Sequence, residues 1–393
     1  MSEFNFEPQA WPKIAIVAGE ASGDILGASL ITELKKHFPR AQFIGVAGHK
    51  MLAAGAQTIE PLETLSVGGV VEVLRHLPAL LKLRKRLLLG CKQGRPDLFI
   101  GIDAPDFNLG LARKVKKLGI PTVHYVSPSI WAWRPERIKK IKAAVNHILL
   151  LLPFEKEIYD RNGVPATFVG HPLADQMPVA VPATTYRELL NLPADSQVLA
   201  ILPGSRQREV LALSGLFIDT ALKLAEKYPR MFFLVPFVTR ETRVLFEQEV
   251  WRREAQSLNW RLMFGHSHDA MSASDVVLLA SGTAALESML AKRPTVVAYR
   301  VSELTYKIVK RKYLLPFVSL PNIISNQFLV PEFLQHDAQT ENLVNAVSNY
   351  LDDKVLRVEI GDKFTEIHIG MRCSAGERAA EAIQQMLVQR APC

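Results

Sequence analysis

Short apolar runs alternate with longer amphipathic stretches along the whole chain, and the pattern runs through twice. In the first pass KIAIVA (13–18), AQFIGVAG (41–48), DLFIGID (97–103), PTVHYVS (121–127), NHILLLL (146–152) and ATFVGHP (166–172) read as strands. Helical patterns lie between them, including ILGASLITELKKHF, a long stretch at about 62–93, and LGLARKVKKLG. A strand-then-helix order repeated in this way builds a parallel sheet covered by helices. Residues 172–195 turn rich in Pro and Ala. The order then restarts with VLAILPGS (198–205), MFFLVPF (231–237), WRLMFG (260–265), DVVLLAS (275–281) and PTVVAYR (294–300). The expectation is an α/β chain of two Rossmann-like, doubly wound domains, 1–175 and 196–351, joined by a linker at 176–195. Helices over 352–393 are expected to pack back across the domains. A length of 393 residues suits two domains.

Composition excludes several classes. With 48% hydrophobic and 22% charged residues the chain is neither disordered nor fibrous. Three cysteines, Cys91, Cys373 and Cys393, make no disulfide scaffold and no CxxC metal pair, and suit a reducing compartment. The first residues lack a basic segment followed by an apolar one, so no secretory signal is read. Apolar runs such as Ile148 to Phe154 are far short of the roughly 18 residues a spanning helix needs, so a soluble or peripherally bound protein is expected. The net charge of +8, from 47 Lys and Arg against 39 Asp and Glu, favours a polyanion, an anionic membrane surface or a phosphorylated substrate. A nucleic-acid role is not favoured: the strands carry no RNP pattern and the basic runs are interleaved with apolar residues.

In the second half, LPGSRQREV places Gly204, Ser205 and Arg206 in a turn between a strand and a helix. The N–H groups of such a turn and the positive helix end attract an anion, and Arg206 adds a fork of donors suited to phosphate. LASGTAALE repeats the device with Ser281, Gly282 and Thr283, and Glu287 follows one helical turn later, in reach of a ribose diol. Each turn alone is compatible with a capped helix, but two such turns in one half point to a nucleoside diphosphate. Neither a Walker loop nor a GxGxxG fingerprint is present.

In the first half, GEASGD (19–24) offers Gly19, Glu20, Ser22, Gly23 and Asp24 as acceptor or sugar contacts, with helix capping as the other reading of Asp24. Asp103 ends a buried strand in GIDAPDFN and is placed to act as a general base; Asp106 reads as a turn or cap residue, with a partner of Asp103 as the other reading. HYVSPSIWAWRPER carries Trp131 and Trp133 for stacking, for lipid contact or for the core, and His171 is open between packing and binding. Over 62–95 an apolar helical stripe is backed by Arg75, Lys82, Arg84, Lys85, Arg86, Lys92 and Arg95, the composition of an interfacial helix, with Val67, Val70 and Leu74 facing the membrane. An ordinary helix packed on the sheet is the alternative.

Taken together and in order, GEASGDILGA, GIDAPDFN, HYVSPSIWAWRPER, LPFEKEIYD, VGHPLAD, LPGSRQREV, LASGTAALE and SLPN resemble the motifs of the lipid-A-disaccharide synthases, from about residue 13 to 375. The resemblance implies a GT-B fold, two halves facing across a cleft, and a peripheral enzyme on the cytoplasmic face of the inner membrane of a Gram-negative bacterium. It implies inverting transfer of a diacylglucosamine from UDP-2,3-diacylglucosamine onto 2,3-diacylglucosamine 1-phosphate (lipid X). By the same resemblance Asp103 is the catalytic residue, and Arg206, Glu287 and Asn322 of SLPN belong to the nucleotide side. No DxD-type metal motif is evident, so no metal or cofactor is expected and the helix starts after Gly204 and Gly282, with Arg206, should absorb the leaving charge. No nucleic-acid partner is expected, and a homodimer is left open. Another GT-B enzyme, an epimerase or a transferase to a different lipid, is the alternative.

Overall fold

A computed structural model describes residues 4–65 and 70–388, without the side chains of 70–75, 304 and 308. The chain divides into two compact units, one formed by 1–175 with 371–393 and the other by 176–370.

The first unit is built on a seven-stranded, wholly parallel sheet. Its strands are β1 (Lys13–Ala18), β2 (Gln42–Ala47), β3 (Ala56–Pro61), β4 (Leu98–Ile102), β5 (Thr122–Tyr125), β6 (His147–Leu150) and β7 (Ala166–Phe168), in the order β3-β2-β1-β4-β5-β6-β7. Alternate residues of β1 serve two cores. Ile14, Ile16 and Ala18 join Leu30, Leu34 and Ile383 on one face, while Ala15 and Val17 join Leu87, Phe99 and Leu111 on the other. A sheet covered on both faces explains why its inner strands are apolar throughout. The C-terminal helix Ala375–Val388 packs on Ala21–His37 through Ala379, Ala380 and Ile383. Asp175 of VGHPLAD caps its start by accepting from the Ser374 and Ala375 N–H groups at 2.9 and 2.6 Å.

The second unit repeats the design. β8 (Val198–Leu202), β9 (Phe232–Phe237), β10 (Asn259–Phe264), β11 (Val276–Ala280), β12 (Thr295–Tyr299) and β13 (Glu332–Leu334) form a parallel sheet in the order β10-β9-β8-β11-β12-β13. Residues 176–195, expected as a linker, include the helix Ala183–Leu189, and Tyr186, Leu190 and Leu192 pack against Val198 and Leu234. Their apolar side chains make this stretch part of the second unit's core.

Both sheets reverse winding direction beside their first strand, between β1 and β4 and between β8 and β11. Open α/β sheets bind ligands outside the carboxyl ends of strands at such a switch point. Gly19 and Asp103 follow β1 and β4, and Gly204 and Ser281 follow β8 and β11. Among the described residues no helix is long and apolar enough to cross a membrane.

Candidate active site

The carboxyl ends of β8, β9, β10 and β11 surround a cavity of about 400 Å³, a size that suits a small-molecule ligand. Gly204, Ser205, Arg206, Ser281, Gly282, Thr283 and Glu287 all line it, so the two turns singled out in the sequence meet in one place. Pro236, Phe237 and Val238 add an apolar wall that the motif reading did not mark. It comes from the end of a strand, where nothing in the residue pattern separates wall from core.

The two turns are not equivalent. After β8, Glu209 Oε2 accepts from the Ser205 N–H at 3.0 Å and the Arg206 N–H at 3.3 Å, and its Oε1 accepts from Arg206 Nη1 at 3.2 Å. The protein's own carboxylate thus occupies the donors expected to meet a phosphate, as a glutamate in a first helical turn often does. Gly204 makes this approach possible: its φ is +125°, and a Cβ there would lie 2.4 Å from that of Glu209. After β11 the helix Thr283–Leu290 begins at Gly282, which has no side chain to cap it. Within that turn the Ala285 N–H donates to Gly282 O at 3.2 Å, and no side chain caps the helix start, which lines the cavity through Gly282, Thr283 and Ala284. Burial raises the Glu287 carboxyl above its usual range.

Asn322 lies elsewhere. It is fully buried; Oδ1 accepts from the Leu329 and Val330 N–H groups, and Nδ2 donates to the Val330 oxygen and to Glu332 Oε1. Its hydrogen-bonding capacity is spent inside the segment 319–332, and it does not line the cavity.

In the first unit, Asp103 and Ala104 both adopt left-handed backbone, with φ of 52° and 41°. Two such residues in succession are strained and persist only where the surroundings hold them. The Asp103 N–H donates to Tyr125 O, and Asn108 Nδ2 donates to the oxygens of Val17, Ile102 and Asp103, pinning the turn from below. Asn108 closes the GIDAPDFN motif, and its role shows only in three dimensions. The Asp103 carboxylate accepts from the Ala104 N–H at 2.8 Å and sits 3.5 Å from Ser22 Oγ. Burial raises its pKa, and those two donors pull the other way.

GEASGD divides between the two readings. Gly19 and Ser22 flank the Asp103 turn, and Glu20 is exposed at the start of helix Ala21–His37. Gly23 is buried under it. Asp24 is a cap, but of another helix: it accepts from the Gly48, Lys50 and Met51 N–H groups and points into the fold. His171 is held low, at about 4, by burial, and accepts from the Leu173 N–H at 3.2 Å, a packing role.

Trp131 donates to Glu155 Oε1 at 3.0 Å, while Trp133 stays 40% exposed beside Arg134. Burial lifts the Glu155 carboxyl to about 7, against the hydrogen bonds from Leu152, Trp131 and Ser127. Between 4.5 and about 7 the unfolded chain loses this proton while the folded chain keeps it. Its contribution to stability therefore falls as pH rises through that window, by about 3 kcal/mol in all. The buried His124 and His171, both lowered to about 4, act in the opposite sense. Comparison of wild type with Glu155→Gln isolates the glutamate: denaturant unfolding at pH 5 and pH 8 should show a more favourable shift toward high pH in the variant. An identical pH shift in both proteins would mean that Glu155 is ionised throughout.

Of the interfacial stretch, Val67 lies outside the described residues, as do the side chains of Val70 and Leu74. In the helix Val70–Gly94, Leu83, Leu87 and Cys91 belong to the core, whereas Leu77, Leu81 and Leu89 are exposed.

Comparison with known proteins gives the chain relatives. Residues 14–383 match the family described as lipid-A-disaccharide synthetase. A lipid-A-disaccharide synthase of Methylobacillus flagellatus is 52% identical over 372 residues, covering 95% of this chain and 98% of that one. One from Pseudomonas aeruginosa is 48% identical, covering 96% and 99%. Among solved structures, a UDP-GlcNAc 2-epimerase of Neisseria meningitidis bound to UDP-GlcNAc has a TM-score of 0.59 at 15% identity, covering 96% of this chain and all of that one. A glycosyltransferase of Rickettsia africae has a TM-score of 0.60 at 10% identity, covering 98% and 100%. At such identities the likeness speaks for the fold, which is the GT-B fold.

Proposed function

The chain belongs to the lipid-A-disaccharide synthase family, and from this membership we propose how its residues divide the work of glycosyl transfer. It is a glycosyltransferase of lipid A synthesis that uses a UDP-sugar. In this reading the donor is UDP-2,3-diacylglucosamine and the acceptor is 2,3-diacylglucosamine 1-phosphate. The cavity of the second unit receives the UDP. Glu287 takes the ribose hydroxyls, and the open helix start at Gly282 and Thr283, with Arg206, meets the diphosphate. Asn322 and Glu332 act by holding the segment around them.

Asp103 accepts the proton of the acceptor's 6-hydroxyl as that oxygen attacks the donor's anomeric carbon. The bond from this carbon to the diphosphate breaks as the new one forms, and UDP leaves with the electron pair. The carbon passes through an oxocarbenium-like state, and a single displacement inverts it. The observation that carries this reading is the convergence of Arg206, Gly282, Thr283 and Glu287 on one cavity. Incubation with the two lipids followed by mass spectrometry tests it. The disaccharide 1-phosphate and UDP are expected; free sugar or an epimer with no disaccharide would reject it.

Arg206 is 80% exposed and bonded to Glu209, so its worth appears only when a ligand covers it. Arg206→Ala should weaken UDP binding by about 1.5–3 kcal/mol, a charge-assisted hydrogen bond. Glu209→Gln removes the competing negative charge and should tighten it. Calorimetric titration with UDP checks both, and unchanged affinity in the two variants would remove this turn from the site.

The acyl chains of both lipids require access to the membrane, and we assign this to helix Val70–Gly94 and the residues before it, on the cytoplasmic face of an anionic inner membrane. Its exposed leucines suit the acyl boundary and its exposed Lys82, Lys85 and Lys92 the headgroups, each worth about 1 kcal/mol near the surface. Serine at Val67, Val70, Leu74, Leu77 and Leu81 should lower binding to anionic vesicles, with little change in melting temperature. Undiminished vesicle binding together with a collapsed melting temperature would make the stripe core.

A further inference from the structure

Two guanidinium groups of the first unit meet at Asp106, in the turn that carries Asp103, and a third lies on the same tryptophan ring as one of them. Arg84, from helix Val70–Gly94, donates from Nη2 to the main-chain oxygen of Asp106 at 3.1 Å and lies 4.9 Å from the centre of the Phe107 ring. Its Nε is buried and has no partner among the described residues. Arg137 donates to Asp106 Oδ1 at 3.0 Å; this arginine side chain is only 19% exposed, its aspartate partner 86%. Arg134 stacks on Trp133 at 4.2 Å, and the same ring lies 5.7 Å from Arg137. Burial lowers the pKa of Arg84, and the charge of Asp106 works against that shift. Two cations thus meet at Asp106, Arg137 at its carboxylate and Arg84 at its main-chain oxygen, three residues beyond Asp103 in the chain, and Arg134 shares the Trp133 ring with Arg137.

This arrangement is poor as a device for stability. An exposed aspartate holds Arg137 weakly, and Arg84 keeps an unmet donor in a place that water no longer solvates well. It is well suited to receiving an anion with more charge and more acceptor oxygens than a carboxylate. A phosphate monoester carries nearly two negative charges at neutral pH and three strong acceptors, and guanidinium forks match its geometry.

We propose that Arg84 and Arg137, with Arg134 at the rim, form the binding site for the phosphate of the acceptor sugar. The site rests on the reading of Asp103 as the base that activates that sugar's hydroxyl. Asp106 holds Arg137 in place until the phosphate arrives and then turns to solvent. The phosphate fixes the sugar ring at one corner, which orients the attacking hydroxyl toward Asp103 at the other.

The test compares two acceptors, 2,3-diacylglucosamine 1-phosphate and the same lipid with a free 1-hydroxyl, in neutral detergent. The proteins are wild type, Arg84→Gln, Arg137→Gln and Asp106→Asn. Each arginine variant is expected to lose about tenfold to a hundredfold in kcat/KM with the phosphorylated acceptor. The same variants should stay within a few-fold of wild type with the other acceptor and keep the donor KM. Asp106→Asn should gain affinity for the phosphorylated acceptor. Equal losses on both acceptors, or none on either, overturn the site alone. A loss that appears only when anionic phospholipid is added assigns the cluster to membrane headgroups and overturns the acceptor. A wild-type protein that makes no disaccharide from either lipid overturns the reaction and this site with it.

Discussion

Asp103→Asn is expected to bind UDP as the wild type does and to turn over about 10²- to 10⁴-fold more slowly, the usual effect of losing a general base. The substitution preserves shape. An asparagine oxygen can still accept from the Ala104 N–H, and the Ser22 hydroxyl can turn to accept from the amide. What disappears is basicity. The wild-type rate should also fall on acidification at a higher pH than an ordinary aspartate would give, because burial raises this carboxyl and the base must be ionised to work. Steady-state rates across pH with a parallel UDP titration measure both. Near-normal turnover in Asp103→Asn would pass the role of base to Glu20.

Gly19→Ala should be the most damaging change that touches no reacting group. The strands β1 and β4 end side by side, and the Gly19 N–H reaches Ile102 O at 3.3 Å. A Cβ at Gly19 would lie 2.1 Å from the Cβ of Ala104 and 3.3 Å from its Cα. Backbone must move, and Ala104 is half of the left-handed pair that presents Asp103. Overpacking of this kind costs about 1–3 kcal/mol of stability. A displacement of about 1 Å at the base can cost about 10²-fold in rate. Gly23→Ala provides the contrast in stability, since its nearest neighbours would be 3.5 Å away. Thermal unfolding and kcat of the two variants decide the matter; a Gly19→Ala enzyme with wild-type kcat would show that the turn tolerates the shift.

The strands expected from apolar runs are present, and two more are not visible in the sequence. β3, AQTIEP, and β13, EFL, lie at the sheet edges, and none of the residues of β13 is buried. An edge strand needs backbone partners on one side and little apolar burial, so it leaves a weak imprint on composition. The two glycine turns of the second unit were legible for the opposite reason. A glycine turn between a buried strand and a helix is a local construction, and its residues stand next to one another in the chain.

Local pattern, then, determined the two parallel sheets, the strand ends where ligands belong, the Asp103 turn and both glycine turns. Each depends on neighbours within a few residues and on the burial of a strand's side chains. The partners of the polar groups were decided only by tertiary structure. Asp24 serves a helix 25 residues away, Glu209 takes the N–H groups of its own turn, Asn322 spends its hydrogen bonds inside the segment 319–332, and Glu155 holds Trp131. A carboxylate or amide in a sequence carries the same donors and acceptors wherever it falls. Whether it faces a substrate or satisfies a buried N–H depends on what the rest of the chain brings within 3 Å of it, and desolvation makes that choice binding.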